Sequence, residues 1–278
     1  MKVSGGIRAP RPAILPSVEM MHATITFSRL LLTVVIMCVW GSAWSENLEV
    51  PGTGRWETML FPAAEVDRVA RMKYADILAD YAEHKRLDAD RDLTSRVTRI
   101  GEILIVAAAS LKPIVSTWKW EFHTTTDADV DAFSMAGGKI MIGSAFVRNL
   151  NLTDGELAIL VAHEMAHAVA EHQREELSEA RRIQGRTSTA EILTENLGMD
   201  LGLQIRLHDV SIQQETEADE LGMLMAHQAG WLGRDMVSFF EKLAASDSGA
   251  PQSNGYPSMS SRVSMAHGMA SLFATYGQ

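Results

Sequence analysis

The chain has 278 residues, 46% of them hydrophobic and 22% charged, with 25 Lys and Arg against 35 Asp and Glu for a net charge of −10. That composition excludes a disordered or low-complexity polymer and supplies enough apolar residues for a sizeable core. The negative balance argues against nucleic acid or anionic lipid as a partner, and a single cysteine, Cys38, leaves no intrachain disulfide.

The first 45 residues differ from the rest. Arg29 precedes an uncharged apolar run from Leu30 to Trp40, followed by Gly41-Ser42-Ala43-Trp44-Ser45. A basic flank, a short apolar stretch and small residues predict a secretory signal peptide cleaved after Ser45, hence export to the periplasm. The alternative is an uncleaved membrane anchor, but the run of about 11 to 15 residues falls short of the roughly 20 that span a bilayer. Met20 and Met21 are alternative starts behind a basic, proline-rich prefix. Cleavage would remove Cys38, four basic residues (Lys2, Arg8, Arg11, Arg29) and one acidic (Glu19), leaving 21 basic and 34 acidic residues and a net charge of −13. Residues 46–278 are expected to form a single domain.

Within that domain, residues 46–62, with Pro51-Gly52-Thr53-Gly54, read as an extended lead-in. From Ala63 to about Leu111 apolar residues recur at helical spacing (Val66, Val69, Met72, then Val97, Ile100, Leu104), predicting two or three helices. Trp118 to His123 alternates as a half-buried strand does, Asp131 to Ala136 reads as extended, and Lys139 to Ile142 predicts a strand after the Gly137-Gly138 turn. Thr153 with Glu156 three residues on is a capping-box signature that opens a long helix. Helices continue through 174–230, with Gly185, Gly198 and Gly202 as expected breaks. A Pro- and Ser-rich loop, 246–258, leads to a short C-terminal helix. The fold class is α+β, mainly helical.

The long helix carries His163-Glu164-Met165-Ala166-His167. Two histidines four residues apart lie about 40° apart around a helix, so both imidazoles can present a nitrogen to one metal ion. Glu164, about 100° from His163, sits beside that face within reach of a water at the metal. A catalytic zinc takes three protein ligands and keeps one open position. His172 lies about 180° from His163 on a continuing helix and should face away, and position 170 is Ala, so no third histidine follows a glycine turn. Glu215 and Asp219, again four apart, share a helix face about 50 residues on. One could bind zinc while the other accepts a hydrogen bond from a ligand histidine. Glu217, about 200° from Glu215, should point elsewhere. Met135, Met165, Met223 and Met225 read as packing residues, and His208, His227 and His267 as surface or helix-end residues.

Several stretches in order, DAFSMAGGKIMIGSAF, LTDGELAILVAHEMAHAVAEH, QQETEADELG with AGW following, and YPSMSSRV, resemble the Ste24- and HtpX-type zinc metallopeptidases of peptidase family M48, in particular its exported soluble members. The resemblance covers roughly residues 65–270. It implies a zincin-type fold with a small sheet beside the active-site helix, and one zinc per chain held by His163, His167 and Glu215. It also implies Glu164 as catalytic base and Asp219 as the aspartate that bonds a ligand histidine. Two departures stand out: Asp131 to Gly138 lacks the family's asparagine and proline, and Tyr256-Pro257 replaces a His-Pro, with Arg262 in place. Tyr256 is therefore expected to donate its phenol O–H to the tetrahedral intermediate. A peptide substrate is expected to lie as an added strand along Lys139, Ile140, Met141 and Ile142. Unfolded or misassembled envelope proteins are the implied partners. The alternative is a zinc-holding, chaperone-like binding module, kept latent if residues 173–213 fold over the cleft.

Overall fold

A computed structural model describes residues 44–185, 187–246 and 256–276. The expected signal peptide falls outside them, save for Trp44 and Ser45. No helix among the described residues is long and apolar enough to cross a membrane.

The expected lead-in is an antiparallel hairpin of β1 (Glu46–Glu49) and β2 (Trp56–Met59). Its Pro51-Gly52-Thr53-Gly54 segment, read as part of that extended lead-in, is the turn itself: Gly52 and Gly54 adopt φ of 77° and 70°, where a side chain would be strained. Two helices follow, α1 (Ala63–Glu83) and α2 (Arg91–Leu111), the second capped by the Asp90 carboxylate accepting from the Leu93 N–H at 3.1 Å. A 3-10 turn (Pro113–Thr117) delays the next strand by three residues relative to expectation. Trp118 closes that turn, and Trp120 donates its indole N–H to the Val115 carbonyl at 2.9 Å. The three-stranded sheet has the order β3 (Glu121–Thr125), β5 (Lys139–Gly143), β4 (Ala132–Met135), with β5 parallel to β3 and antiparallel to β4.

After the short α3 (Ser144–Asn149) comes α4 (Asp154–Val169), around which the main core is built. Fourteen of its sixteen residues are buried, so it is apolar nearly all round, as a helix surrounded by other elements must be. Its start is the expected capping box: Thr153 Oγ1 accepts from Glu156 N at 3.3 Å, and Glu156 Oε2 accepts from Thr153 N at 2.7 Å. Glu156 is also held by Lys242 at 2.7 Å and Ser238 at 2.5 Å. Burial alone would raise its pKa, but these bonds bring it down to about 2.

The remaining helices are α5 (His172–Gln184), α6 (Ala190–Met199), α7 (Leu201–Arg206), α8 (His208–Gln228), α9 (Gly233–Ser246) and α10 (Met259–Tyr276). Gly185 breaks the chain as expected, at φ 105°. Gly198 and Gly202 do not: both lie inside helices, and the break falls at Asp200, whose carboxylate caps α7 by accepting from Leu203 N at 3.1 Å. The C-terminal helix, expected to be short, runs for 18 residues because α10 packs along α9 and α8. Leu177, Ala180, Ala190, Leu193, Leu203 and Leu207 pack with Phe61, Val66 and Val69 into a second core, which draws α5 to α7 onto α1 and the hairpin.

Candidate metal centre

Helix α8 brings its carboxylates to α4 because Gly222 lets the two backbones meet. A Cβ there would stand 2.9 Å from the His163 nitrogen and 3.0 Å from the Ala162 carbonyl carbon, too close for any side chain. At that approach Glu215 reaches both motif histidines. Its Oε2 lies 3.3 Å from His163 Nε2, its Oε1 lies 3.4 Å from His167 Nε2, and the two nitrogens are 3.2 Å apart. Ligand atoms about 2.0–2.1 Å from one tetrahedral ion stand about 3.3 Å from each other, so this triangle fits one divalent cation. Glu215 Oε2 is buried without a hydrogen-bond partner, an acceptor left for a cation. His163, His167 and Glu215 form the single cluster of this kind among the described residues.

The choice between Glu215 and Asp219, open from spacing, is resolved by geometry in favour of Glu215 facing the triangle. Asp219 lies behind His163, its Oδ1 2.9 Å from Nδ1, and is gripped at both oxygens by Arg262 at 2.7 Å. Because the carboxylate can only accept, Nδ1 donates to it and Nε2 is left facing the triangle. Burial would lower the His163 pKa, but its bond to Asp219 and the negative charge of Glu215 outweigh this and raise it to about 10. Burial likewise opposes ionisation of Glu215, yet the two histidines hold it well below the carboxylate range. A cation held by His163, His167 and Glu215 would take the place of the His163 proton beside Glu215.

Glu164 and Tyr256 line the same cavity, of about 240 Å³, with His163, His167 and Glu215. Burial is the main cause that raises the Glu164 pKa, while the histidines oppose it. Tyr256, 45% exposed at the rim, is pushed up to about 12, first by the negative charge of Glu215 and then by burial, so its phenol keeps a proton to donate.

Two expectations are corrected. Lys139, Ile140, Met141 and Ile142 cannot receive an added strand: they belong to β5, the middle strand, buried and paired along both edges. The open edge is that of β4, whose Ala132, Phe133 and Ser134 line the cavity. The apolar run after the Gly137-Gly138 turn marked a strand but not its place in the sheet.

His172 does not face away either. The 180° separation assumed a continuous helix, whereas α4 ends at Val169 and Glu171 adopts a left-handed φ of 59° before α5 begins. For a residue with a side chain that conformation is costly, roughly 1–3 kcal/mol. Lys112 offsets it by bonding both the Val169 carbonyl (3.0 Å) and Glu171 (2.5 Å), and Arg174 also holds Glu171 (2.5 Å). The turn swings His172 back until its Nδ1 lies 2.9 Å from His167 Nδ1. Glu217 points away from the triangle as expected, but meets His172 Nε2 at 3.2 Å. Sequence reasoning also missed Glu176, which lines the cavity and is raised to about 7 by burial; no spacing signal marked it. The bland assignments hold: Met135, Met165, Met223 and Met225 are buried in the core, and His208, His227 and His267 lie outside the cluster.

Fold and site together present a helix-borne His-Glu-x-x-His, a carboxylate from a second helix, and an edge strand beside them. The model of peptidase family M48 matches residues 92–275, and the chain belongs to that family. It is similar to the mitochondrial metalloendopeptidase OMA1 of Schizosaccharomyces pombe, at 26% identity over 188 residues, covering 65% of this chain and 52% of the relative. Similarity extends to the metalloprotease YcaL of Escherichia coli, at 23% over 177 residues (60% and 68%). The beta-barrel assembly-enhancing protease of the same organism is 24% identical over 164 residues (54% and 32%). The chain thus spans about half the length of the fission-yeast relative and a third of the last.

Proposed function

We propose that this metalloprotease is a zinc-dependent endopeptidase that hydrolyses unfolded or misassembled envelope proteins, in periplasmic quality control. The observation that carries the reading is the convergence of two imidazole nitrogens and one carboxylate within 3.2–3.4 Å of each other, with a second, buried carboxylate in the same cavity. Two nitrogens and one oxygen are a donor set that suits zinc. A zinc ion held there supplies Lewis acidity, lowering the pKa of a water and polarising a scissile carbonyl.

Each protein group then has a role. His163, His167 and Glu215 hold the metal. Glu164, whose raised pKa makes it a better proton acceptor than an ordinary carboxylate, takes the proton from water and passes it to the leaving amine. Tyr256 donates its O–H to the oxyanion. The substrate backbone lies along the open edge of β4, Ala132–Met135. Main-chain pairing of that kind reads little side-chain identity, which suits unfolded chains. Relatives named for enhancing beta-barrel assembly support an envelope substrate.

The alternative, a latent binding module, drew on residues 173–213 folding over the cleft. Of those residues Gln173, Glu176 and Ser211 line the cavity, whereas α6 and α7 contribute to the second core and to none of the lining. The test is cleavage of an unfolded protein such as casein by the purified chain, with and without chelator. Cleavage should vanish with the metal and return with zinc, and Glu164→Gln should keep the metal but lose about 100- to 10,000-fold in rate. Hydrolysis by Glu164→Gln near the wild-type rate would remove Glu164 as the base. Bound zinc with no cleavage of any unfolded chain would favour the binding module.

A further inference from the structure

His163 receives its orienting carboxylate directly, from the residue that the α8 spacing supplies. His167 has no carboxylate on its Nδ1. It has His172, 2% exposed, whose Nδ1 lies 2.9 Å away and whose Nε2 lies 3.2 Å from Glu217. Glu217 is gripped by Arg55, through Nε at 2.5 Å and Nη2 at 2.7 Å. The same guanidinium bonds Glu175 at 2.6 Å and 3.1 Å. Gln214 closes the arrangement, donating to the His172 carbonyl at 3.1 Å and to Glu175 at 3.0 Å.

The protons in this chain have one consistent placement. A carboxylate only accepts, so His172 Nε2 carries a proton toward Glu217. The neutral imidazole of His172 then offers a lone pair at Nδ1, and His167 Nδ1–H donates to it. His167 Nε2 is left bare, and that is the atom 3.4 Å from Glu215. Without the relay, His167 is free to place its proton on Nε2 and block the metal.

Arg55 comes from the end of the hairpin turn, and residues 46–59 precede the segment 92–275 that the family model matches. The hairpin region is fastened to α5, which carries His172: Arg174 bonds Glu46 at 2.5 Å and the Phe61 carbonyl at 2.7 Å, and Ser178 Oγ accepts from Leu60 N at 2.9 Å. We propose that Arg55, Glu217 and His172 are positioning residues that fix the tautomer and ring orientation of His167, so that the amino-terminal hairpin is part of the metal centre. This rests on the reading of His163, His167 and Glu215 as metal ligands.

The experiment measures metal affinity by chelator competition, and the visible absorption spectrum of the cobalt-substituted full chain. The variants are His172→Leu, His172→Asn, Glu217→Gln, Arg55→Gln and, as control, Glu215→Ala. Loss of an orienting partner costs about 10- to 100-fold in metal affinity. His172→Leu should show that loss together with a shifted cobalt spectrum. His172→Asn, whose amide oxygen can replace Nδ1 as acceptor, should recover most of it. Arg55→Gln added to His172→Leu should weaken the metal no further, because the relay is serial. A hairpin clasp with a purely structural role would lower the melting temperature and leave the cobalt spectrum alone. Metal affinity within about twofold of wild type in Arg55→Gln and Glu217→Gln, with an unchanged spectrum, overturns the proposal, and these two carry the test if His172→Leu fails to fold. Unchanged affinity in Glu215→Ala would instead overturn the ligand reading itself.

Discussion

The two histidines of the metal centre are held by unlike means. Behind His163 stand Asp219 and Arg262, both nearly inaccessible, with Arg262 also lying over the Phe240 ring at 5.2 Å. Behind His167 stand a histidine, a glutamate and an arginine drawn from α5, α8 and the hairpin turn, with the Arg55 side chain 16% exposed. The first support uses one helix spacing and one ion pair. The second needs three separate elements to dock. A short, dry support is costly to break and tolerates little, whereas a long one shares its charge among several partners and can be loosened at its far end.

The largest expected effect is on the His163 side. Arg262→Ala leaves Asp219 as a buried carboxylate with only His163 beside it, a loss of about 3–5 kcal/mol in stability. Arg55→Ala should cost less, about 1.5–3 kcal/mol, because Glu217 keeps His172 and Glu175 keeps Gln214. Chemical denaturation of the two variants side by side checks this, and equal losses would erase the distinction.

Tyr256 belongs to the same side, its ring 5.8 Å from the Arg262 guanidinium. Tyr256→Phe should lower turnover about 100- to 1,000-fold at full metal occupancy, the usual cost of one oxyanion donor. Unchanged turnover would make it a packing residue, and lost metal would make it a ligand. Asp219→Asn should weaken metal binding about 10- to 100-fold. Chelator competition on this variant and on His172→Leu, compared directly, shows which support matters more to the ion.

The smallest effect lies at the far end of α4. Glu156 is held at about 2, below its ordinary value of 4.5. A depressed carboxyl contributes stability that is complete above the unfolded pKa and lost as pH falls through the folded one. That contribution, about 1–2 kcal/mol, should therefore disappear between roughly pH 4.5 and pH 2. Melting curves of Glu156→Gln over this range should be flatter than those of the wild type, and a parallel pH dependence would contradict the assignment.

How the centre could be anticipated follows the same division. His163, Glu164 and His167 were legible because they lie within one helix, whose 100° step converts spacing into direction without knowledge of any other element. The capping box at Thr153 was legible for the same reason, and the pairing of Glu215 with Asp219 needed only a second helix. What failed depended on partners that sequence does not name. The direction of His172 turned on one left-handed residue, Glu171, stabilised by Lys112 from the end of α2 and Arg174 from α5. The place of Lys139–Ile142 turned on sheet order, which depends on which strands dock on either side of it.

By itself, then, the sequence determined most of the helices and the spacing that puts His163, Glu164 and His167 on one of them, since each rests on contacts between residues a few positions apart. Helix spacing left open which of Glu215 and Asp219 meets the histidines, and only the tertiary structure decided which strand edge stays open and that an arginine 108 positions before His163 reaches the cluster. Those outcomes depend on docking between elements far apart in the chain, where packing and buried charge, not local spacing, set the geometry.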